Sequence, residues 1–87
     1  MAKYRIEIVR SAEKALFSLP KPFVPKIVKA IQDLAETPYP PGCRKLSGQR
    51  STFRIRVNVY RIIYEVHDDL ILIKVLKIGH RKDVYRN

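Results

Sequence analysis

Six basic residues lie close together in the middle of the chain, and their side chains are the ones best suited to chemistry. No acidic residue interrupts them: they are Arg44, Lys45, Arg50, Arg54, Arg56 and Arg61. The planar guanidinium of arginine binds phosphate through two parallel N–H bonds, so a cluster made mostly of arginine favours nucleic acid as its target. A basic face that only keeps the protein in solution is the alternative interpretation.

Such a cluster suits RNA cleavage. In that reaction the 2′-hydroxyl attacks the adjacent phosphate, and arginines stabilise the negative charge that builds up in the transition state. A base must take the 2′ proton, and an acid must protonate the leaving 5′ oxygen. Histidine is the usual proton carrier near neutral pH, which makes His80 a candidate, and neighbouring arginines favour the anion of a tyrosine. Plain RNA binding would use the same arginines, so the residues alone leave both functions open.

Strand alternation positions two of these arginines. The segment Thr52–Val57 alternates apolar and basic residues, which predicts a half-buried strand. Its apolar residues point to the core, so Arg54 and Arg56 stand on the opposite face, about 6–7 Å apart along the strand. Arg61 begins the next predicted strand across a tight link and lies close to them. Gly79 follows the last strand and is expected to turn the chain, which brings Arg81 and Tyr85 back over the same face.

The elements around these residues predict an α+β fold. Lys3–Val9 alternates as a strand, and Ser11 caps a helix that ends at Leu19-Pro20. A second helix begins at Pro22 and Pro25 and carries an apolar stripe. The loop 38–50 and three strands follow, at 52–57, 60–67 and 70–78. The order β-α-α-β-β-β predicts a single domain over residues 1–87: an antiparallel meander with the first strand beside the last and a helical hairpin packed on one face.

Composition excludes several classes of protein. The net charge is +10 over 87 residues, which excludes an acidic or calcium-binding protein. Cys43 is the one cysteine, so an internal disulfide and a thiolate zinc site are excluded. The two histidines and scattered carboxylates form no recognisable metal set, and no glycine-rich phosphate loop is present. We therefore expect no metal and no cofactor. The chain lacks a signal peptide and a membrane span, which predicts a cytoplasmic protein.

The C-terminal half contains four short sequence motifs: KLSG at 45–48, FRIRV at 53–57, YRIIYE at 60–65 and GHRKDVYR at 79–86. In this order and spacing they resemble the RelE branch of the RelE/ParE toxin superfamily. The predicted layout of the N-terminal half agrees with that family, so the resemblance spans the whole chain.

The resemblance implies a toxin of a type II toxin–antitoxin system that enters the ribosomal A site, cuts the mRNA there and arrests translation. It implies that Arg61 and Arg81 hold the scissile phosphate, and that Tyr85 stacks on a base or takes part in proton transfer. The implied RNA-binding residues are Arg54, Arg56, Lys45, Arg50 and Lys82. The implied partners are the ribosome, its mRNA and an acidic RelB-like antitoxin that forms a hetero-oligomer with the toxin.

One departure from the family bears on the mechanism. The best-known members carry lysines where this chain has Arg54 and Arg56, and arginine cannot release a proton near neutral pH. His80 is therefore a further candidate for the base. Two alternatives stay open: a ParE-like toxin that blocks DNA gyrase without cutting RNA, and a non-catalytic module that binds RNA or the ribosome.

Overall fold

The chain forms one five-stranded sheet covered on one face by two helices. The computed structural model describes residues 3–46, 48 and 51–80. In chain order the elements are β1 (Arg5–Ile8), α1 (Arg10–Ser18), a short 3₁₀ turn (Lys21–Phe23), α2 (Val24–Leu34), β2 (Arg44–Lys45), β3 (Thr52–Val57), β4 (Tyr60–His67) and β5 (Leu72–His80). The sheet order is β1-β5-β4-β3-β2. The α+β class and the meander are confirmed, and two of the predicted strands have the observed bounds.

The first strand lies beside the last, as the sequence predicts, and the two run parallel. Ile6 pairs with Ile73, and Ile8 pairs with Val75. A parallel pair needs a long crossover, and the helical hairpin supplies it. All other strand pairs are antiparallel.

The core lies between the helices and one face of the sheet. Each helix presents apolar residues at helical spacing: Ala12 and Leu16 on α1, and Ile27, Ile31 and Leu34 on α2, all buried. The sheet contributes the alternate residues of its central strands, among them Ile62, Tyr64, Ile73 and Val75. This face takes the odd-numbered residues Phe53, Ile55 and Val57 of β3, so the predicted direction of their side chains is confirmed.

A β-bulge lets β5 keep its apolar residues in the core. The register with β4 shifts between Ile63, opposite Lys77, and Tyr64, opposite Val75, so Leu76 has no direct partner. Val75 and Ile78 are three residues apart, and strict alternation would send them to opposite faces. The extra residue restores both to the helix side, where both are buried.

Three local predictions are wrong. Ser11 does not cap α1: Val9 is the N-cap residue, and its carbonyl accepts the first helical hydrogen bond from Glu13. Part of the predicted loop pairs with β3 as the two-residue strand β2. The turn after β4 is longer than predicted, because Ile71 takes a left-handed conformation at φ 51° and delays the start of β5.

Candidate functional site

The predicted arginine cluster forms on the sheet face opposite the helices. Arg56 and Arg61 are direct cross-strand partners between β3 and β4, and Arg54 precedes Arg56 by two residues on the same face. Directly paired residues in an antiparallel ladder share a face, so the three side chains leave the sheet on one side. The structure therefore brings these three predicted residues together.

Arg61 differs from the other arginines in its burial. It lies on a central strand and is 7% exposed, although it carries a full charge. Its Nε and Nη1 atoms are buried and have no hydrogen-bond partner among the described residues. A buried charge without partners costs free energy. An anion that accepted hydrogen bonds from Arg61 would lower this cost, so the buried guanidinium favours anion binding.

A glycine lies directly opposite Arg61. The register of β4 and β5 pairs Arg61 with Gly79, which is the penultimate residue of β5. The expected turn at Gly79 is wrong, because ladder pairing keeps this residue extended. Because Gly79 has no side chain, none projects from this position of β5 on the face that carries Arg61.

Arg44, the first residue of the basic run, joins the cluster. It pairs with Arg54 across β2 and β3, and so it lies on the same face. The sequence places Arg44 in a predicted loop, so its strand partner and its face of the sheet could not be predicted from local patterns.

Two predicted residues lie away from this cluster. Lys45 pairs with Phe53 and therefore belongs to the opposite face, where its side chain is exposed. His80 pairs with Tyr60, whose ring it meets edge-on at a centroid distance of 6.2 Å. Tyr60 packs against Phe23 on the helix side. His80, a candidate for the base, therefore lies on the helix side of the sheet and not on the face that carries Arg61.

The other predicted site residues are Arg50, Arg81, Lys82 and Tyr85, and they lie outside the described residues. The structure gives no position for them. The described part of the candidate site is therefore built by β2, β3 and β4.

A groove of about 490 Å³ runs beside the cluster, along the open edge of β3. Four consecutive residues of that strand line it, Arg54 to Val57, together with Arg44 and Arg61. Consecutive strand residues point to alternate faces, so the groove follows the strand edge itself. Its other wall comes from α2 and the loop that follows it, through Ala30, Leu34, Pro40 and Pro41.

Tyrosine hydroxyls fix that loop. The Tyr64 hydroxyl donates to the Pro38 carbonyl at 2.8 Å, and the Tyr39 hydroxyl donates to Asp68 at 3.0 Å. The Phe53 ring lies between the two tyrosine rings, 5.1 Å from Tyr39 and 6.0 Å from Tyr64. Burial raises the pKa of Tyr64, and burial with the Asp68 hydrogen bond raises the pKa of Tyr39 to about 12. Both hydroxyls therefore stay protonated and keep donating at neutral pH.

Three arginines of the cluster form no ion pair with the carboxylates of the described residues. Glu65, four residues from Arg61 along β4, lies 3.0 Å from His67 instead. Within the described part of the chain, no ion pair involves Arg44, Arg56 or Arg61. Residues 3–46, 48 and 51–80 also contain no group of three metal-ligating side chains and no helix that could cross a membrane.

Comparisons with known proteins agree on one family. A family model described as the ParE toxin of the type II toxin–antitoxin system parDE matches residues 6–85. Toxin RelG of Mycobacterium tuberculosis is 31% identical over 87 residues, which cover 95% of this chain and 97% of RelG.

Solved structures give the same result. A toxin chain in the archaeal RelE–RelB complex from Pyrococcus horikoshii superposes with a TM-score of 0.82 and 32% identity, over 93% of this chain and 98% of the other. In the RelBE2 toxin–antitoxin complex from Mycobacterium tuberculosis the TM-score is 0.79 at 25% identity, over 91% of this chain and 99% of the matched one.

Proposed function

This chain belongs to the RelE/ParE superfamily of type II toxin–antitoxin toxins, and on that premise we propose that it is a ribosome-dependent mRNA endonuclease. It would cut mRNA in the ribosomal A site and so arrest translation. The curated relative RelG and the structural relatives carry RelE-type names, which supports this branch of the superfamily.

The observation that best supports the proposal is the burial of Arg61 together with its unpartnered nitrogens. This guanidinium is buried, two of its nitrogens lack partners among the described residues, and its cross-strand neighbours are Arg56 and Gly79. A phosphodiester placed beside Gly79 would accept hydrogen bonds from Arg61 in a site of low dielectric constant, where such bonds are strong.

The proposed reaction is transfer of the phosphate within the RNA. The 2′-oxygen forms a bond to phosphorus as it loses its proton, and the bond to the 5′-oxygen breaks. The 5′-oxygen leaves with a proton, so the products are a 2′,3′-cyclic phosphate and a 5′-hydroxyl end. Arg61 stabilises the extra charge on the phosphate oxygens, which grows in the transition state.

The other residues take separate roles in this proposal. Arg54 and Arg56 hold the RNA backbone and supply positive potential beside the phosphate. Arg81 assists the leaving oxygen and Tyr85 stacks on a base or moves a proton, as the family resemblance implies, with Arg50 and Lys82 adding charge. His80 receives no role at the reacting phosphate, because its ring packs on the helix side against Tyr60.

We further propose an acidic, RelB-like antitoxin as the partner that silences the toxin. The relatives of known structure in this superfamily are bound to RelB-type antitoxins in the Pyrococcus horikoshii and Mycobacterium tuberculosis complexes. The net charge of +10 on this chain is complementary to an acidic partner.

The test uses purified ribosomes that carry a defined mRNA and an empty A site. Toxin is added, and the new 5′ ends are mapped beside a reaction on naked mRNA. We expect cuts within the A-site codon, weak on naked mRNA and reduced by about 10²-fold or more in Arg61→Ala. The matched control is Arg5→Ala, which removes an exposed arginine at the far edge of the sheet, on β1. Cleavage by Arg61→Ala at the control rate would contradict the proposal.

The matching family model is that of the ParE toxin, and a ParE-like toxin that blocks DNA gyrase is the alternative function. The same preparation is therefore also tested on DNA gyrase. Inhibition of supercoiling without any mRNA cleavage would move this chain to the gyrase-blocking branch. Salt-sensitive binding to ribosomes with neither activity would leave a binding module.

A further inference from the structure

The groove beside β3 is lined by four arginines that stand in two like-charged pairs. Arg44 is opposite Arg54, and Arg56 is opposite Arg61. Like charges directly opposite each other destabilise a sheet by a few tenths of a kcal/mol or more per pair. Arg44, Arg56 and Arg61 form no ion pair among the described residues, so an anionic ligand would neutralise their positive charge.

The spacing of these pairs fits more than one phosphate. β2 and β4 lie on either side of β3, and Arg44 and Arg61 are offset by two residues along the strands, so their backbones are about 12 Å apart. Arginine side chains that start this far apart can hold two neighbouring phosphates of one RNA strand. Arg61 at one end of this path is buried with unpartnered nitrogens, and Arg44 at the other end is exposed.

The groove between them has walls that suit a base. Ala30, Leu34, Pro40 and Pro41 line the side opposite the arginines, and the volume of about 490 Å³ is in the range of small-molecule sites. Asp33 and Thr37 also line this side, and the Asp33 carboxylate pairs with Lys29 at 3.2 Å. Proteins that read single-stranded RNA bind phosphates with arginines and take unstacked bases against apolar or flat side chains. An acidic peptide would use the arginines, but it would not require a recess for a planar ring.

We propose that this groove is a second RNA subsite, in which Arg44 binds the phosphate next to the one that is cleaved and the intervening base lies between α2 and the Pro40–Gly42 loop. The proposal rests on the proposed nuclease function and extends it to the adjoining nucleotide. Tyr64 and Tyr39 hold the loop in place through Pro38 and Asp68, so the subsite is formed before RNA arrives.

The test compares Arg44→Ala and Arg44→Lys with wild type and with the control Arg5→Ala, on ribosomes programmed with the same mRNA. Arg44 touches no reacting atom in this proposal. Arg44→Ala should therefore raise the half-saturating toxin concentration about tenfold and leave the cleavage rate at saturation unchanged. Arg44→Lys should recover part of the loss, because it keeps the charge but not the forked geometry.

A chemical change in the RNA makes the test specific to one phosphate. An mRNA with a neutral methylphosphonate at either phosphate beside the cleaved one is compared with unmodified mRNA. One of the two modified mRNAs should raise the half-saturating concentration of wild-type toxin about tenfold. The same mRNA should not raise the value for Arg44→Ala any further, because the modification and the substitution remove the same contact.

The outcomes separate this subsite from the nuclease function itself. Cleavage by wild type, with Arg44→Ala matching the Arg5→Ala control, would overturn the subsite and leave the nuclease proposal standing. Absence of cleavage by wild type on unmodified mRNA would overturn both. Normal cleavage by Arg44→Ala, together with weakened binding of the acidic antitoxin, would assign the groove to the protein partner and overturn the RNA subsite.

Discussion

Arg61 and Gly79 face each other across β4 and β5, as direct partners in the register of the two strands. The pairing puts the one residue without a side chain next to a buried guanidinium. Glycine weakens a strand interior, and a glycine kept there often marks the close approach of a ligand. The absence of a side chain opposite Arg61 is therefore set by the register of β4 and β5.

Gly79→Val should lower cleavage while leaving the fold intact. A branched side chain at Gly79 would project from the face that carries Arg61 and occupy the space proposed for the phosphate. We expect a loss of about tenfold or more in Gly79→Val and a smaller loss in Gly79→Ala. Mapped cleavage rates give the activity, and circular dichroism confirms folding. A matched control is Val59→Ala at an exposed hairpin position, and equal activity in Gly79→Val and that control would contradict the assignment.

Arg61→Met should make the protein more stable and inactive. The substitution removes a buried charge whose Nε and Nη1 lack partners among the described residues, and it keeps most of the side-chain volume. Relief of unsatisfied buried groups is worth about 1–3 kcal/mol. The midpoint of urea unfolding measures the gain. A midpoint well below that of wild type would show that Arg61 stabilises the fold and is not held ready for an anion.

Tyr64→Phe should loosen the groove loop and cost about 1 kcal/mol. The ring stays in the core, but the hydrogen bond to the Pro38 carbonyl is lost. Urea unfolding gives the free energy, and hydrogen exchange shows whether the loss is confined to the loop. The control is Tyr60→Phe, because the buried Tyr60 contacts Phe23 and His80 through its ring. Equal loop exchange in wild type and Tyr64→Phe would show that this hydroxyl does not fix the loop.

Alkaline pH should destabilise the protein through the same tyrosines. Burial raises the pKa of Tyr64 above its ordinary value, and the pKa of Tyr39 is raised to about 12. A pKa that is higher in the folded state than in the unfolded state gives stability that is complete below about pH 10 and is lost as the pH rises toward the folded value. Urea midpoints measured from pH 8 upward should therefore fall above about pH 10. Tyr39→Phe should reduce that fall, and an identical pH profile in this variant would contradict the contribution of Tyr39.

Phe53→Ala should cost about 3 kcal/mol, the lower end of the range for truncating a core phenylalanine. The Phe53 ring is half-buried and lies between Tyr39 and Tyr64. Thermal unfolding measures the loss, with Phe17→Ala as the control because Phe17 is 69% exposed. An equal melting temperature in the two variants would show that the stack of rings does not support β3.

Local patterns in the sequence were sufficient to predict most of the fold. The alternation in β3 gave the faces of Arg54 and Arg56, and helical spacing gave the buried stripe of α2. The features that local patterns could not predict depend on pairing between residues that are distant in the chain. β2 is two residues long and exists only because it pairs with β3, and the bulge at Leu76 is visible only against the register of β4.

The candidate site was predictable to the same extent. Arg61 could be proposed from its position at the start of a strand, whereas its burial and its pairing with Gly79 depend on the neighbouring strands. The face of His80 follows from its pairing with Tyr60 on the neighbouring strand, which no local pattern in the sequence shows. The pairing of Arg44 with Arg54 joins residues ten positions apart and depends in the same way on contacts between strands.

The parallel pair of β1 and β5 has a consequence for the order of events during synthesis. Leu72, where β5 begins, is made 64 residues after Ile8, where β1 ends. At about 5–20 residues per second, β1 waits about 3–13 s for the strand beside it. The pairing that seats Arg61 opposite Gly79 therefore forms only after β5 has been made. Until then, the nascent chain holds Arg61 without the strand that lies beside it in the folded protein.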